Sequence, residues 1–191
     1  MKKLSRADIR GPVLYAGFRD DLRRNIIALK KRRRVSVGPS VTLVFENRAT
    51  VIFQIEEMCR AENISAPEGI QGELDVYNAI LPDSGELGAT LFVEINDEAL
   101  VKKTLDELVG LQHHVWLEVG EERLAARFDL EQFNADKLAA VQYLRFPVPP
   151  SAQATMRTLG ARLVLRIDHP NYHFETGLAE ATRAELVNDL D

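Results

Sequence analysis

Hydrophobic positions recur at helical spacing along the first 80 or so residues and alternate thereafter, so the chain changes its period near residue 82. Phe18, Leu22, Ile26 and Leu29 predict an amphipathic helix from residue 18 to about residue 32. Arg23, Arg24, Lys30, Lys31 and, if the helix reaches it, Arg34 gather on its opposite face, with Ile27 among them. Residues 35–45 read as extended chain punctuated by Gly38-Pro39. Asn47 is placed to cap a second helix carrying Ile52, Ile55 and Cys59 on its apolar side. Ser65-Ala66-Pro67-Glu68 fits a capping box that opens a third helix with Ile70, Leu74 and Tyr77. The run LPDSG at 81–85 is a break.

After the break, Leu87, Ala89, Leu91, Val93 and Ile95 line one face of a strand, and Asn96 can cap a helix reaching Leu108. Val115, Leu117 and Val119 followed by Leu124, Ala126 and Phe128 predict a hairpin about Gly120-Glu121. Two further strands are expected at 141–148 and 163–167, with a short helix opened by Pro150-Ser151 between them and a last helix over 178–190. The expected architecture is one α+β domain over 1–191. Residues 1–82 are expected to be mostly helical and to pack with a mixed, largely antiparallel sheet of about five strands from 83–191.

Composition sharpens this picture in one respect. The chain has 191 residues, 46% hydrophobic and 28% charged, and a net charge of −5, as expected of a globular protein. The charge is bipolar: residues 1–48 hold 13 Lys+Arg against 4 Asp+Glu, a net of +9, and the remaining 143 residues carry −14. No apolar run approaches the roughly 18–20 residues of a membrane span, and the basic start has no apolar run behind it as a signal peptide would. The single cysteine fits a reducing compartment. A cytoplasmic protein with no membrane association is therefore expected.

The most concentrated charge is LKKRRRVSVGP at 29–39. Cations at a helix C-terminus oppose the macrodipole by about 0.3–1 kcal/mol each, which accounts for one or two of five. The excess is either neutralised by the chain's own carboxylates or forms a docking face. That face comprises Arg23, Arg24, Ile27, Lys30, Lys31, Arg33 and Arg34. It would suit an acidic protein partner, a second copy or, with less support, nucleic acid through 30–34. No helix-turn-helix, zinc-finger or aromatic RNA-binding pattern accompanies it.

A second cluster is Asp168-His169-Pro170-Asn171-Tyr172-His173-Phe174-Glu175. Asp168, His169, Tyr172 and His173 are candidates for catalysis on a small anionic substrate, and His169 and His173 for a metal. Pro170 excludes the helical geometry that would bring two histidines together, and Pro170-Asn171 suits the centre of a β-turn. His113-His114, on opposite faces of a strand, cannot chelate together. Trp116 shares a face with Glu118, which suggests burial under a helix. Arg123, Arg127, Arg162 and Arg166, with Glu94 and Glu118, have the parity of cross-strand ion pairs. Cys59 is read as a core residue. No Walker, dinucleotide-binding or catalytic-triad pattern is present, and no cofactor is expected.

KKRRRVSVGPSVTLVFENRATVIFQIEEMCRAE (30–62), together with MKKLSRADI, ELGATLFVEI, HVWLEVG and DHPNY, resembles the bacterial family of domain of unknown function 3501 over nearly the whole chain. The resemblance implies a single-domain cytosolic protein. It also implies a setting of redox or oxidative-stress metabolism, since members are encoded beside rubrerythrin-like proteins and iron–sulfur oxidoreductases. It carries no assigned activity and no catalytic residues. The reading that combines these observations is an accessory or interaction protein that docks an acidic partner through the basic helix face.

Overall fold

The structure is a computed structural model that describes residues 1–129 and 138–190. The chain opens with a 3₁₀ turn, Arg6–Asp8, and a long helix α1, Pro12–Arg33. A hairpin follows, β1 (Arg34–Val37) and β2 (Val41–Glu46), and then α2 (Arg48–Ala61) and α3 (Pro67–Ile80). β3 (Glu86–Val93) leads through a 3₁₀ turn to α4 (Val101–Glu107), β4 (Val115–Val119), β5 (Glu122–Ala125) and β6 (Arg127–Phe128). The remaining elements are β7 (Val141–Pro147), α5 (Pro150–Arg157), β8 (Leu163–His169), β9 (Tyr172–Gly177) and α6 (Glu180–Asp189).

The fold is α+β, as expected, but the strands form two sheets rather than one of about five. Their orders are β1-β2-β3-β7-β6 and β5-β4-β8-β9, and every pairing among the described residues is antiparallel. Leu43, Phe45, Leu91 and Leu144 of the first sheet share a core with Leu117, Leu165 and Ile167 of the second. Met156 of α5 and Leu186 of α6 complete that core. The other face of the five-stranded sheet meets the helical layer. There Val51, Ile55 and Cys59 of α2 pack with Ile70 and Leu74 of α3 in a second cluster. Strand β2 is thus covered on both sides and is buried at all six positions.

Local details depart from the sequence expectations for identifiable reasons. Helix α1 begins six residues before Phe18 because Pro12 supplies its first turn. The buried Glu56 carboxylate accepts the free N–H groups of Arg10 (2.6 Å) and Gly11 (3.2 Å) at that helix end. Tyr15, not Phe18, enters the core; Phe18 is 56% exposed, under the Arg10 guanidinium. Asn47 caps α2 through Thr50 N–H as expected. The box at Ser65 does not form: Pro67 at the first helical position makes Ala66 the N-cap, so Ser65 lies one residue too early. Asp97 rather than Asn96 caps the turn before α4. Trp116 lies beneath the Arg123 guanidinium, 4.1 Å from the ring centre, rather than beneath a helix. Among the described residues no helix is long and apolar enough to cross a membrane.

Candidate functional site

The basic run divides when the chain folds. Arg33 is fully buried; its Nε donates to the Phe45 carbonyl (2.9 Å) and its two terminal nitrogens pair with Glu185 and Asp189 of α6. Arg32 pairs with Glu185 at 2.7 Å, and Arg34 pairs with Glu94. Arg33 therefore does not belong to a surface face, and Arg34 is engaged by the chain itself. Arg24 pairs with Asp21 one turn away. Arg23, Lys30 and Lys31 make no ion pair among the described residues, and Ile27 is 45% exposed beside them.

The cluster at 168–173 folds as the β8–β9 hairpin, with Asp168 opposite His173 and His169 opposite Tyr172. His169 and His173 consequently face opposite sides of the sheet. His169 is buried with both ring nitrogens used: Nε2–H donates to the Val109 carbonyl (3.0 Å) and Nδ1 accepts from Asn171 N–H (3.2 Å). Tyr172 Oη donates to the Val37 carbonyl (2.7 Å) and accepts the N–H groups of Ser40 and Val41, both at 3.0 Å. It ties the four-stranded sheet to the β1–β2 turn. Burial raises the Tyr172 phenol above its ordinary value.

Asp168 accepts from Trp116 Nε1 at 3.0 Å and from Arg123, with His114 Nδ1 3.4 Å away. Burial works to raise its carboxyl, but those bonds and the Arg123 charge outweigh it and hold the group below the usual range. These roles are structural. Among the described residues no group of three or more His, Cys, Asp or Glu is gathered as a metal site requires. The expected cross-strand pairing does form around Arg166, which bonds Glu118 Oε1 at 2.6 Å and Glu175 at 2.5 Å.

The arrangement with open chemistry lies elsewhere, between the helical layer and the outer face of the five-stranded sheet. A cavity of about 210 Å³ there has walls from Val51, Ile80, Phe92 and Val141. Its polar members are Lys30 of α1, Gln54 of α2, Tyr77 of α3, Glu46 of β2, Thr90 of β3 and Tyr143 of β7. The register brings three of these onto one patch of sheet, because Thr90 lies opposite both Val44 and Tyr143, and Glu46 lies opposite Gly88.

Glu46 is only 9% exposed; its Oε1 accepts from Thr90 Oγ1 at 2.9 Å, and Oε2 accepts from no described residue. Lys30 lines the same cavity without an ion pair to Glu46. Burial raises the Tyr143 phenol, and the Glu46 charge adds to the rise. Burial likewise raises Tyr77, against the Gln54 side chain beside it. A neighbouring groove of about 590 Å³ shares Ile80 and Tyr143 with this cavity, but its Arg145 is already held by Ala79 O, Asp83 and Glu86.

A family model described as "Protein of unknown function (DUF3501)" matches residues 3–190. The chain belongs to this family. A crystal structure of a novel protein of unknown function from Burkholderia pseudomallei K96243 is 36% identical, with a TM-score of 0.93 and 100% of each chain covered. No curated protein matches. For this DUF3501 chain, Lys30 is the one residue shared by the cavity and the sequence-derived candidates. The others were missed because they come from five separate elements. One signal was present: VTLVFE at 41–46 adds Val44 on the parity opposite Val41, Leu43 and Phe45, a hint of a strand covered on both faces, yet it ends on a carboxylate of that second parity.

Proposed function

We propose that this DUF3501 protein is a binding protein for a small organic molecule held in the cavity between α1, α2, α3 and the five-stranded sheet. The observation that supports the reading is Glu46, a nine-tenths buried carboxylate with one oxygen bonded to Thr90 and the other without a partner among the described residues. Its second oxygen opens into the cavity, where a donor from a bound molecule can reach it. Convergent polar groups on apolar walls are the usual form of a ligand site. The cavity is smaller than the roughly 300–1,000 Å³ of drug-sized sites, which suits a compact metabolite.

The test is a thermal-shift screen of small metabolites against the wild type and Val141→Trp, a substitution at a 42%-exposed position on the rim that fills the cavity. Ligands that stabilise the wild type and lose their effect in Val141→Trp are expected. Shifts equal in both proteins, or none in either, would reject the reading.

A second reading is docking of an acidic protein through α1. It is favoured by Arg23, Lys30 and Lys31, which have no ion-pair partner among the described residues, and by the exposed Ile27 among them. A neighbouring-encoded rubrerythrin-like protein is the partner that the family's redox setting suggests. Binding of that purified protein, weakened in Arg23→Glu/Lys31→Glu, is the corresponding result. Nucleic acid has less support, since three of the five cations in the run are matched internally.

A further inference from the structure

We infer that the ligand of this cavity is a zwitterion of the amino-acid type, whose ammonium group bonds Glu46 Oε2 and whose carboxylate meets Lys30, with an apolar body against Ile80, Phe92 and Val141. The inference rests on the cavity being a ligand site, as proposed above, and adds the chemical class. Its ground is a pair of opposite charges that line one small space without neutralising each other. Several other buried and half-buried charges of this fold are joined directly, as in Arg33 with Asp189, Arg19 with Glu57 and Arg166 with Glu118. Glu46 and Lys30 depart from that habit.

Each simpler ligand leaves one of the two charges unmatched. A carboxylic acid would satisfy Lys30 and bring a like charge toward Glu46; an amine would do the reverse; a neutral molecule would desolvate both. A zwitterion matches both at once. The phenols of Tyr77 and Tyr143, raised above their ordinary value, stay protonated and line the same space as hydrogen-bonding groups. Four apolar wall residues leave room for a hydrophobic side chain and favour it over a second polar group.

The experiment is isothermal titration of the wild type, Glu46→Gln and Lys30→Met with three probes of one shape: L-leucine, 4-methylpentanoate (leucine without its ammonium) and 3-methylbutylamine (leucine without its carboxylate). Leucine is expected to bind the wild type at least about tenfold more tightly than either analogue, as loss of one charge-assisted bond implies. Glu46→Gln is expected to weaken leucine about tenfold while leaving 4-methylpentanoate unchanged or improved. Lys30→Met is expected to weaken leucine while sparing the amine. Circular dichroism and thermal melts of each variant establish that it folds.

An analogue that binds as tightly as leucine would overturn the inference, as would variants that weaken all three probes equally. Absence of binding by all three would overturn it as well. The metabolite screen then separates the two claims: hits that Val141→Trp abolishes but that carry no zwitterion leave the cavity a ligand site and reject only its assigned chemistry.

Discussion

Asp189 is a carboxyl on which burial and a cation act in opposite directions. Burial pushes it up to about 6, against the pull of Arg33 and the Asn47 amide. Because the folded value lies above the unfolded one near 3.8, folding favours the protonated form. The stability from this group is therefore fully present below pH ~4 and is lost as pH rises through about 6. The shift corresponds to about 3 kcal/mol. Asp189→Asn keeps an acceptor for Arg33 and removes the titration, so its urea midpoint should change less between pH 4 and 7 than the wild-type midpoint. An equal change in both would assign the slope to other groups. Glu57 has the opposite sign: bonds from Arg19 and the Tyr15 hydroxyl overcome burial and hold it at about 2, below its unfolded value of 4.5. Its contribution, also about 3 kcal/mol, is present above pH ~4.5 and is lost as pH falls through about 2. Glu57→Gln should remove that acid limb in urea unfolding followed from pH ~4.5 down to about 2, and an unchanged limb would exclude Glu57 as its source.

The β1–β2 hairpin shows how one element is fixed by another far along the chain. Gly38 has φ +74°, and a Cβ there would lie 2.6 Å from the Phe174 ring and from Tyr172 Oη. Gly38→Ala is thus expected to cost at least about 2 kcal/mol, from the left-handed backbone and the clash together. Tyr172→Phe, which removes the hydroxyl from Val37, Ser40 and Val41, should cost about 1–3 kcal/mol. Additivity of the two in a double variant, measured by denaturant unfolding, would show that they act on separate features; the geometry predicts that they do not add. This contact also marks what could be read from sequence. The Gly38-Pro39 break was legible because its signal is local, as were the Asn47 cap, the hairpin at Gly120 and the helix opened by Pro150. β9 was not, because its burial pattern lacks alternation: only Tyr172 is buried, and His173, Phe174 and Glu175 are all exposed. The division into two sheets was equally hidden, since the register of each pairing is set by partners dozens of residues away.

Across the whole molecule the +9/−14 charge split was plain in the sequence, but its use was not, because Arg33 and Asp189 stand 156 residues apart. Folding sorts the cations into two classes that composition cannot distinguish. Arg32 and Arg33 join α1 to α6 and Arg34 joins β1 to Glu94 just past β3, whereas Arg23, Lys30 and Lys31 remain without carboxylate partners among the described residues. The classes should respond differently to substitution. Arg33→Met strands the Asp189 carboxylate and removes the donor to the Phe45 carbonyl in a buried place, while Glu185 keeps Arg32, and an expected cost of about 3–5 kcal/mol follows. Arg23→Glu/Lys31→Glu alters only exposed positions and should stay within about 0.5 kcal/mol of wild type. Denaturant unfolding of the two variants checks the division, and equal costs would refute it. If the exposed pair carries an acidic partner or a second copy, the same double variant should lose that association while melting as the wild type does, and added salt should weaken the wild-type complex. Sedimentation and binding unchanged by the substitution would leave α1 without a docking role. Lys30 would then be explained by the cavity it lines with Glu46, and the bipolar charge would chiefly describe how the two ends of the chain are held together.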